Sequence, residues 1–181
     1  PRLTDLWERL SGSGEGFAST VLNAKRTVVK ESLFTELNRL VNIAMAICED
    51  DIRLRDYTRR QLSHAISGLL YQFSRYRAYV EPGRVNPESE REIITEAAAR
   101  AREYLTADEL DALDFVVALA LGETGEQDMG GADTLPAPSQ ILNQLPGRAH
   151  NPSDLRAEFM VRFAQTCGPV MAKSKEDTAF Y

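Results

Sequence analysis

Apolar residues recur at steps of three and four positions over most of the chain, which is the spacing of one face of an α-helix. The first of these stripes begins as early as Phe17 and continues to Cys48, and a second runs from Leu62 to Phe73. No stretch alternates convincingly between apolar and polar residues at every second position, which would be typical of a half-buried strand. The sequence therefore predicts an all-α protein, an irregular bundle of about five to seven helices.

Capping and breaking residues indicate where individual helices begin and end. We predict helix starts where a capping residue precedes an apolar stripe: near Asp56 or Thr58, at Asn86 with Pro87 as the first helical residue, at Thr106 with Glu109 as a capping box, and at Asn151–Asp154. Gly168 and Pro169 are expected to end the last helix. A short charged connection, 49–55, is expected to join the first two long helices into a hairpin.

The segment from Gly122 to Asn151 differs in composition from the rest of the chain, because it shifts towards Gly, Pro, Asp, Gln and Ala. We predict a loop of roughly thirty residues over 122–151, long enough to be mobile or functional. A short helix over 139–145 would interrupt it.

The charge and cysteine content exclude several classes of protein. A net charge of −6 and a pI of about 5.1 disfavour nucleic acid as the main partner, because a phosphate backbone requires clustered Lys and Arg. The arginines between Arg53 and Arg60 are interleaved with aspartates. Cys48 and Cys167 lie in apolar helical surroundings, which favours reduced buried thiols. Neither a signal peptide nor a membrane span is visible in the sequence, so we predict a cytoplasmic location.

Residues of this chain are not expected to assemble an active site of their own. His64 and His150 lack metal-ligand spacing to Cys, Asp or Glu, and we expect His64 to lie at the surface. Adjacent carboxylates such as Asp50 and Asp51 point in directions about 100° apart on a helix, so they rarely act on one substrate together. We accordingly predict no catalytic residue, no cofactor and no metal site within the chain.

One segment carries a specific resemblance. Residues 165–181 read QTCGPVMAKSKEDTAFY, and this stretch closely resembles a motif of maltooligosyltrehalose synthase, a branch of the alpha-amylase superfamily. The segments 36–40, 56–60 and 76–80 also look like this family. The resemblance spans most of the chain and is weakest through 122–151. The chain departs from the motif at Cys167, where Thr is usual, and at Ser174 and Lys175, where Gly and an apolar residue are common; a serine would be strained if the backbone at 174 had a positive φ.

The resemblance implies an enzyme that converts the reducing end of a malto-oligosaccharide into a trehalose unit. The terminal α-1,4 bond is broken and remade as an α,α-1,1 bond within the same molecule. Such retaining chemistry uses a carboxylate nucleophile and a carboxylic acid about 5 Å apart, and the family supplies both from a (β/α)₈ barrel. The resemblance places these carboxylates outside this chain. Residues 1–167 would then be a helical insertion that walls the substrate cleft, and 168–181 would connect it to the barrel.

Three residues of the motif are candidates for substrate binding. Lys173 is expected to hydrogen-bond a hydroxyl of the glucose unit that must turn around, with an ion pair to Glu176 or Asp177 as the alternative. Phe180 and Tyr181 could stack on a sugar face, although core packing is the stronger expectation for both. Tyr76 and Tyr79 could also line a sugar cleft, and core packing is again the favoured interpretation.

Two other functions stay open at this point. The chain could be a stand-alone helical module that binds a protein partner, or the helical part of a related alpha-glucan hydrolase or glucanotransferase. The abrupt ends, with Pro1 in place of Met and the dense motif at the carboxyl end, lead us to expect an internal segment of a longer enzyme that is inactive by itself. Its expected partners are a malto-oligosaccharide and its own barrel, with no nucleic acid and no membrane.

Overall fold

The computed structural model describes residues 16–82, 84, 86–123 and 152–174. Within these ranges all regular structure is helical and no strand occurs. The six α-helices are α1 (Phe17–Thr27), α2 (Phe34–Asp50), α3 (Arg59–Gln72), α4 (Glu88–Arg102), α5 (Ala107–Leu121) and α6 (Pro152–Met171). The prediction of an all-α bundle is confirmed for the described residues.

The first predicted stripe is divided between two helices. Helix α1 begins at Phe17 as predicted, but a π-helical turn, Val28–Ser32, separates it from α2. Such a turn closes hydrogen bonds over five residues rather than four. The apolar spacing did not reveal this interruption, because Val28, Val29 and Leu33 continue the stripe and are all buried.

Thr58 begins α3 with the local chemistry that its sequence indicates. Its hydroxyl accepts from the backbone N–H of Gln61, and the Gln61 side chain accepts in return from the Thr58 backbone N–H, 2.9 Å away. These reciprocal bonds satisfy backbone donors that a helix start leaves without intrahelical partners. The predicted start near Thr58 is therefore confirmed.

Helix α3 occupies the middle of the bundle. It packs against all five of the other helices. Its inward side chains have 0–1% of their surface exposed: Leu62, Ala65, Ile66, Leu69 and Leu70. Phe73, just beyond its end, meets Phe163 of α6 edge to face at 5.9 Å, and Phe163 stacks on Phe159. Edge-to-face and offset-stacked contacts are the favoured geometries of aromatic pairs, so this cluster fixes α6 against the core.

The predicted cap at Asn86 is wrong. Helix α4 starts at Glu88, and Pro87 rather than Asn86 is its N-cap. The buried Asn86 side chain accepts from the backbone N–H of Glu81 and donates to the carbonyl of Leu121, at 3.0 and 2.9 Å. Its amide is thus used between distant segments, because a buried amide needs partners for its donor and its acceptor.

The predicted end of the last helix at Gly168 and Pro169 is also wrong. Helix α6 contains Pro169 and runs to Met171, followed by a π-helical turn over 172–174. A proline inside a helix removes one hydrogen bond, here to the carbonyl of Gln165. Both Pro169 and Gln165 are exposed, so water can bind the released carbonyl. Val170 and Met171 are buried, and removing each side chain from water stabilises the fold by about 2 kcal/mol. This gain favours continuation of the helix past Pro169.

Gly122 ends α5 as predicted from the change in composition. Its φ of +70° lies in the left-handed region, which glycine adopts without a steric penalty. The predicted loop from residue 124 onward, with the helix over 139–145, lies outside the described residues. None of the described helices combines the length and apolar character that crossing a membrane requires.

Candidate substrate-binding site

Lys173 lies in the π-helical turn that follows α6 and is exposed. The next residue, Ser174, is fully buried, and its hydroxyl donates to the carbonyl of Val170 at 2.5 Å. Because Ser174 sits in a right-handed helical turn, the strain expected for a positive φ does not arise there. The Ser174 hydroxyl instead ties the turn to α6, which fixes the backbone beside Lys173.

The motif residues on α6 and on the turn that follows it divide into two faces. Gln165, Pro169 and Lys173 recur at four-residue steps and are exposed, together with the partly exposed Val161. Four-residue steps place side chains on one face of a helix. The remaining described motif residues are mostly buried: Thr166, Cys167, Val170, Met171 and Ser174. A shallow groove runs along the exposed face, lined by Ala157, Glu158, Val161, Arg162 and Gln165.

The structure brings the 76–80 segment against the motif. A Cβ added at Gly168 would lie 3.2 Å from the carbonyl oxygen of Tyr76, closer than side chains normally approach a backbone. Glycine therefore permits this crossing of α6 by the segment that follows α3. Two stretches that carry the family resemblance, far apart in sequence, are in contact at this point.

The favoured interpretation of Tyr76 and Tyr79 as core residues is wrong. Tyr76 is 47% exposed and Tyr79 is 69% exposed. The neighbours Phe73, Ala78 and Val80 take the buried positions instead. The guanidinium carbon of Arg77 lies 5.8 Å from the ring centroid of Tyr79, which is the geometry of a cation–π contact.

Phe180 and Tyr181 lie outside the described residues, as do Glu176 and Asp177, the alternative ion-pair partners of Lys173. Their predicted roles stay predictions. Of the three predicted substrate-binding residues, Lys173 alone can be placed, at an exposed position.

The sequence did not indicate a polar cluster between α3 and α5. Nδ1 of His64 lies 2.5 Å from Oε1 of Glu109, and Nη1 of Arg60 lies 3.2 Å from the same oxygen. The other oxygen of Glu109 accepts from the backbone N–H of Thr106 at 3.1 Å. The capping-box pattern predicted the Thr106 contact, but the tertiary contacts to His64 and Arg60 had no sequence signal beyond helical spacing.

The surroundings of Glu109 favour its charged form. Only 5% of its side-chain surface is exposed, and this burial, the largest single influence, raises its pKa. Hydrogen bonds from Thr106 and His64 act in the opposite direction and together outweigh it, so the pKa lies below its usual value of 4.5. His64 is about half exposed, as expected for a surface histidine. The cluster joins two helices, and it lines neither the groove on α6 nor the groove beside Cys48.

Both cysteines are free and buried, as predicted. Burial raises the pKa of the Cys48 thiol to about 11 and raises that of Cys167 as well. Thiols with raised pKa are poor nucleophiles, because the thiolate is the reactive form. Within the described ranges, no three His, Cys, Asp or Glu side chains come together as metal ligands would.

Comparisons of the chain with protein-family models, with curated proteins and with solved structures found no significant match. The assignment of function consequently depends on the motif residues and on the surface that surrounds them.

Proposed function

We propose that this chain is the helical part of a maltooligosyltrehalose synthase, in which it walls the substrate cleft of a catalytic (β/α)₈ barrel. The observation that carries the proposal is the motif from Gln165 to Tyr181, whose match is long and of unusual composition. The contact of the 76–80 segment with Gly168 supports it, because two separately matching stretches lie together.

In this proposal the reaction breaks one α-1,4 bond and forms one α,α-1,1 bond without consuming water. The carboxylate nucleophile and the carboxylic acid are on the barrel, and the covalent glycosyl intermediate must be attacked by the released glucose rather than by water. A helical wall that keeps the glucose in and water out favours transfer over hydrolysis. The chain alone is accordingly expected to be inactive.

Lys173 is the residue of this chain that we propose to contact substrate. An ammonium group has three donors and no acceptor, so it suits the hydroxyl oxygens of a sugar. Its exposed position in the turn after α6 is compatible with that role. The buried Ser174, tied to Val170, would limit the movement of the turn that carries it.

The test is product analysis with a longer enzyme that contains this chain, incubated with maltohexaose. Loss of reducing ends without release of glucose, and recovery of trehalose after glucoamylase digestion of the product, would support the proposal. Net glucose release would identify an alpha-glucan hydrolase instead. Failure to change maltohexaose at all would favour the stand-alone interaction module and overturn the proposal.

A further inference from the structure

Tyr79 and Arg77 form an exposed pair on the segment that follows α3. Tyr79 has 69% of its surface exposed, and the Arg77 guanidinium lies over its ring. The residues that alternate with them, Ala78 and Val80, are 1% and 8% exposed. Alternation of this kind is typical of extended backbone, whose successive side chains point in opposite directions. The buried residues hold the segment to the core while the pair faces outward.

Buried polar side chains fix the backbone on either side of Tyr79. Its own N–H donates to a carboxylate oxygen of Glu90 at 3.0 Å, and Glu90 is only 8% exposed. Two residues later, the N–H of Glu81 donates to the buried Asn86. A ring held in place before binding loses little conformational freedom when a ligand arrives.

We propose that this pair, the Tyr79–Arg77 platform, binds a glucose ring of an α-1,4-linked glucan. The choice of ligand rests on the proposed function, and the platform adds a binding surface outside the Gln165–Tyr181 motif. One face of a glucose ring presents C–H groups that pack on an aromatic ring. The edge of a guanidinium offers several N–H donors in a fixed fork, which fits neighbouring sugar hydroxyls.

The location of the platform close to the motif favours an α-1,4-linked glucan as its ligand. The backbone at Tyr76, three residues before Tyr79, touches α6 at Gly168. A glucan chain extending from a site at the motif would remain close to this segment. The net charge of −6 disfavours polyanionic ligands, so a neutral polysaccharide fits better than a nucleic acid.

A second Tyr–Arg pair provides a matched control. Tyr104, two residues beyond the carboxyl end of α4, is 59% exposed and lies under the Arg26 guanidinium at 5.4 Å. It resembles the platform in residue type, exposure and cation–π geometry. A difference in sugar binding between the two tyrosines would therefore depend on location rather than on removal of an exposed ring.

The experiment is a titration of the 181-residue chain with maltohexaose, followed by NMR or calorimetry. We expect Tyr79→Ala to weaken binding about fivefold to tenfold, Tyr79→Phe to bind as the unchanged chain does, and Tyr104→Ala to have no effect. Circular dichroism checks that each variant is folded. Absence of maltohexaose binding by the unchanged chain, or equal losses in Tyr79→Ala and Tyr104→Ala, would overturn the platform.

Failure of this inference differs from failure of the proposed function. A longer enzyme that forms trehalose ends while the chain binds no maltohexaose would overturn the platform alone. Binding that depends on Tyr79, with no trehalose formed by the longer enzyme, would overturn the synthase assignment and leave the platform in place.

Discussion

Glu109 of α5 bonds both to the central helix α3 and to the start of its own helix, and His64 of α3 is the closest of its partners, with Nδ1 2.5 Å from Oε1. The same carboxylate receives the backbone N–H of Thr106 at the start of its own helix. One buried side chain therefore completes a helix start and also joins that helix to the central one. The two functions cannot be removed separately by truncating the side chain.

We expect Glu109→Ala to lower the free energy of unfolding by about 2 kcal/mol, because it leaves the Thr106 N–H, His64 and Arg60 without their shared acceptor. Urea unfolding measures this. Glu92→Ala, which removes an exposed carboxylate from α4, is the control and should stay within about 0.5 kcal/mol of the unchanged chain. Similar losses in both variants would contradict the role of the cluster.

The lowered pKa of Glu109 makes part of the stability dependent on pH. A carboxyl whose pKa is lower in the folded state stabilises the fold above its unfolded pKa, here about 4.5, and this contribution disappears as the pH falls through the folded value. We expect the stability difference between the unchanged chain and Glu109→Gln to shrink below pH 4.5. Urea titrations from pH 6 to pH 3 test this, and a difference that persists to pH 3 would be the opposite result.

Gly122 should not tolerate a side chain. Its φ is +70°, and an added Cβ would lie 2.7 Å from Sδ of Met160. We expect Gly122→Ala to cost about 1–3 kcal/mol, from left-handed strain and from displacement of the methionine. Gly16→Ala is the matched control, since nothing lies within 4 Å of a Cβ at that position. Thermal and urea unfolding of both variants give the comparison, and equal stability of the two would refute the expectation.

Both thiols should resist modification in the folded chain. Burial raises the pKa of each, so little thiolate is present at pH 8. We expect Cys48 to react before Cys167 with an aromatic disulfide reagent, because a shallow groove formed with Met45, Glu49, Arg55 and Tyr57 borders Cys48. Cys48→Ser assigns the faster phase. If both thiols of the folded chain reacted immediately when the reagent was added, that result would contradict the burial of both residues.

Under the proposed function, Lys173→Ala in the longer enzyme should raise hydrolysis relative to transfer, since the glucose unit would be held less firmly while the intermediate awaits attack. The ratio of glucose to trehalose-ended product measures this. Lys30→Ala, which removes an exposed lysine from the π-helical turn after α1, is the control. An unchanged ratio would argue against a sugar contact by Lys173.

Local signals in the sequence predicted most of the helix starts. Phe17, Thr58 and Thr106 lie where the helices or their caps begin, because apolar spacing and capping chemistry depend on neighbouring residues only. Asn86 has the same local pattern, yet its amide serves Glu81 and Leu121. The Leu121 carbonyl is 35 positions from Asn86, so a local sequence pattern cannot indicate this contact.

The site was less predictable than the fold. The proline at position 169 suggested a helix end, but exposure of the residue and burial of the two that follow changed the outcome. Tyr76 and Tyr79 are aromatic, which favoured core positions for both. The burial of Ala78 and Val80 instead leaves the two tyrosines facing outward. Exposure within a mixed aromatic and basic segment is decided by tertiary contacts.

The wide turn at Val28–Ser32 holds one residue more than an ordinary α-helical turn, since the backbone N–H of Leu33 bonds to the carbonyl of Val28, five positions earlier, at 2.9 Å. Removing one residue within 28–32 would therefore let an ordinary α-helical turn form in its place. Each residue advances an α-helix by about 100°, so removing a residue elsewhere in α1 or α2 would rotate part of that helix's apolar face towards water.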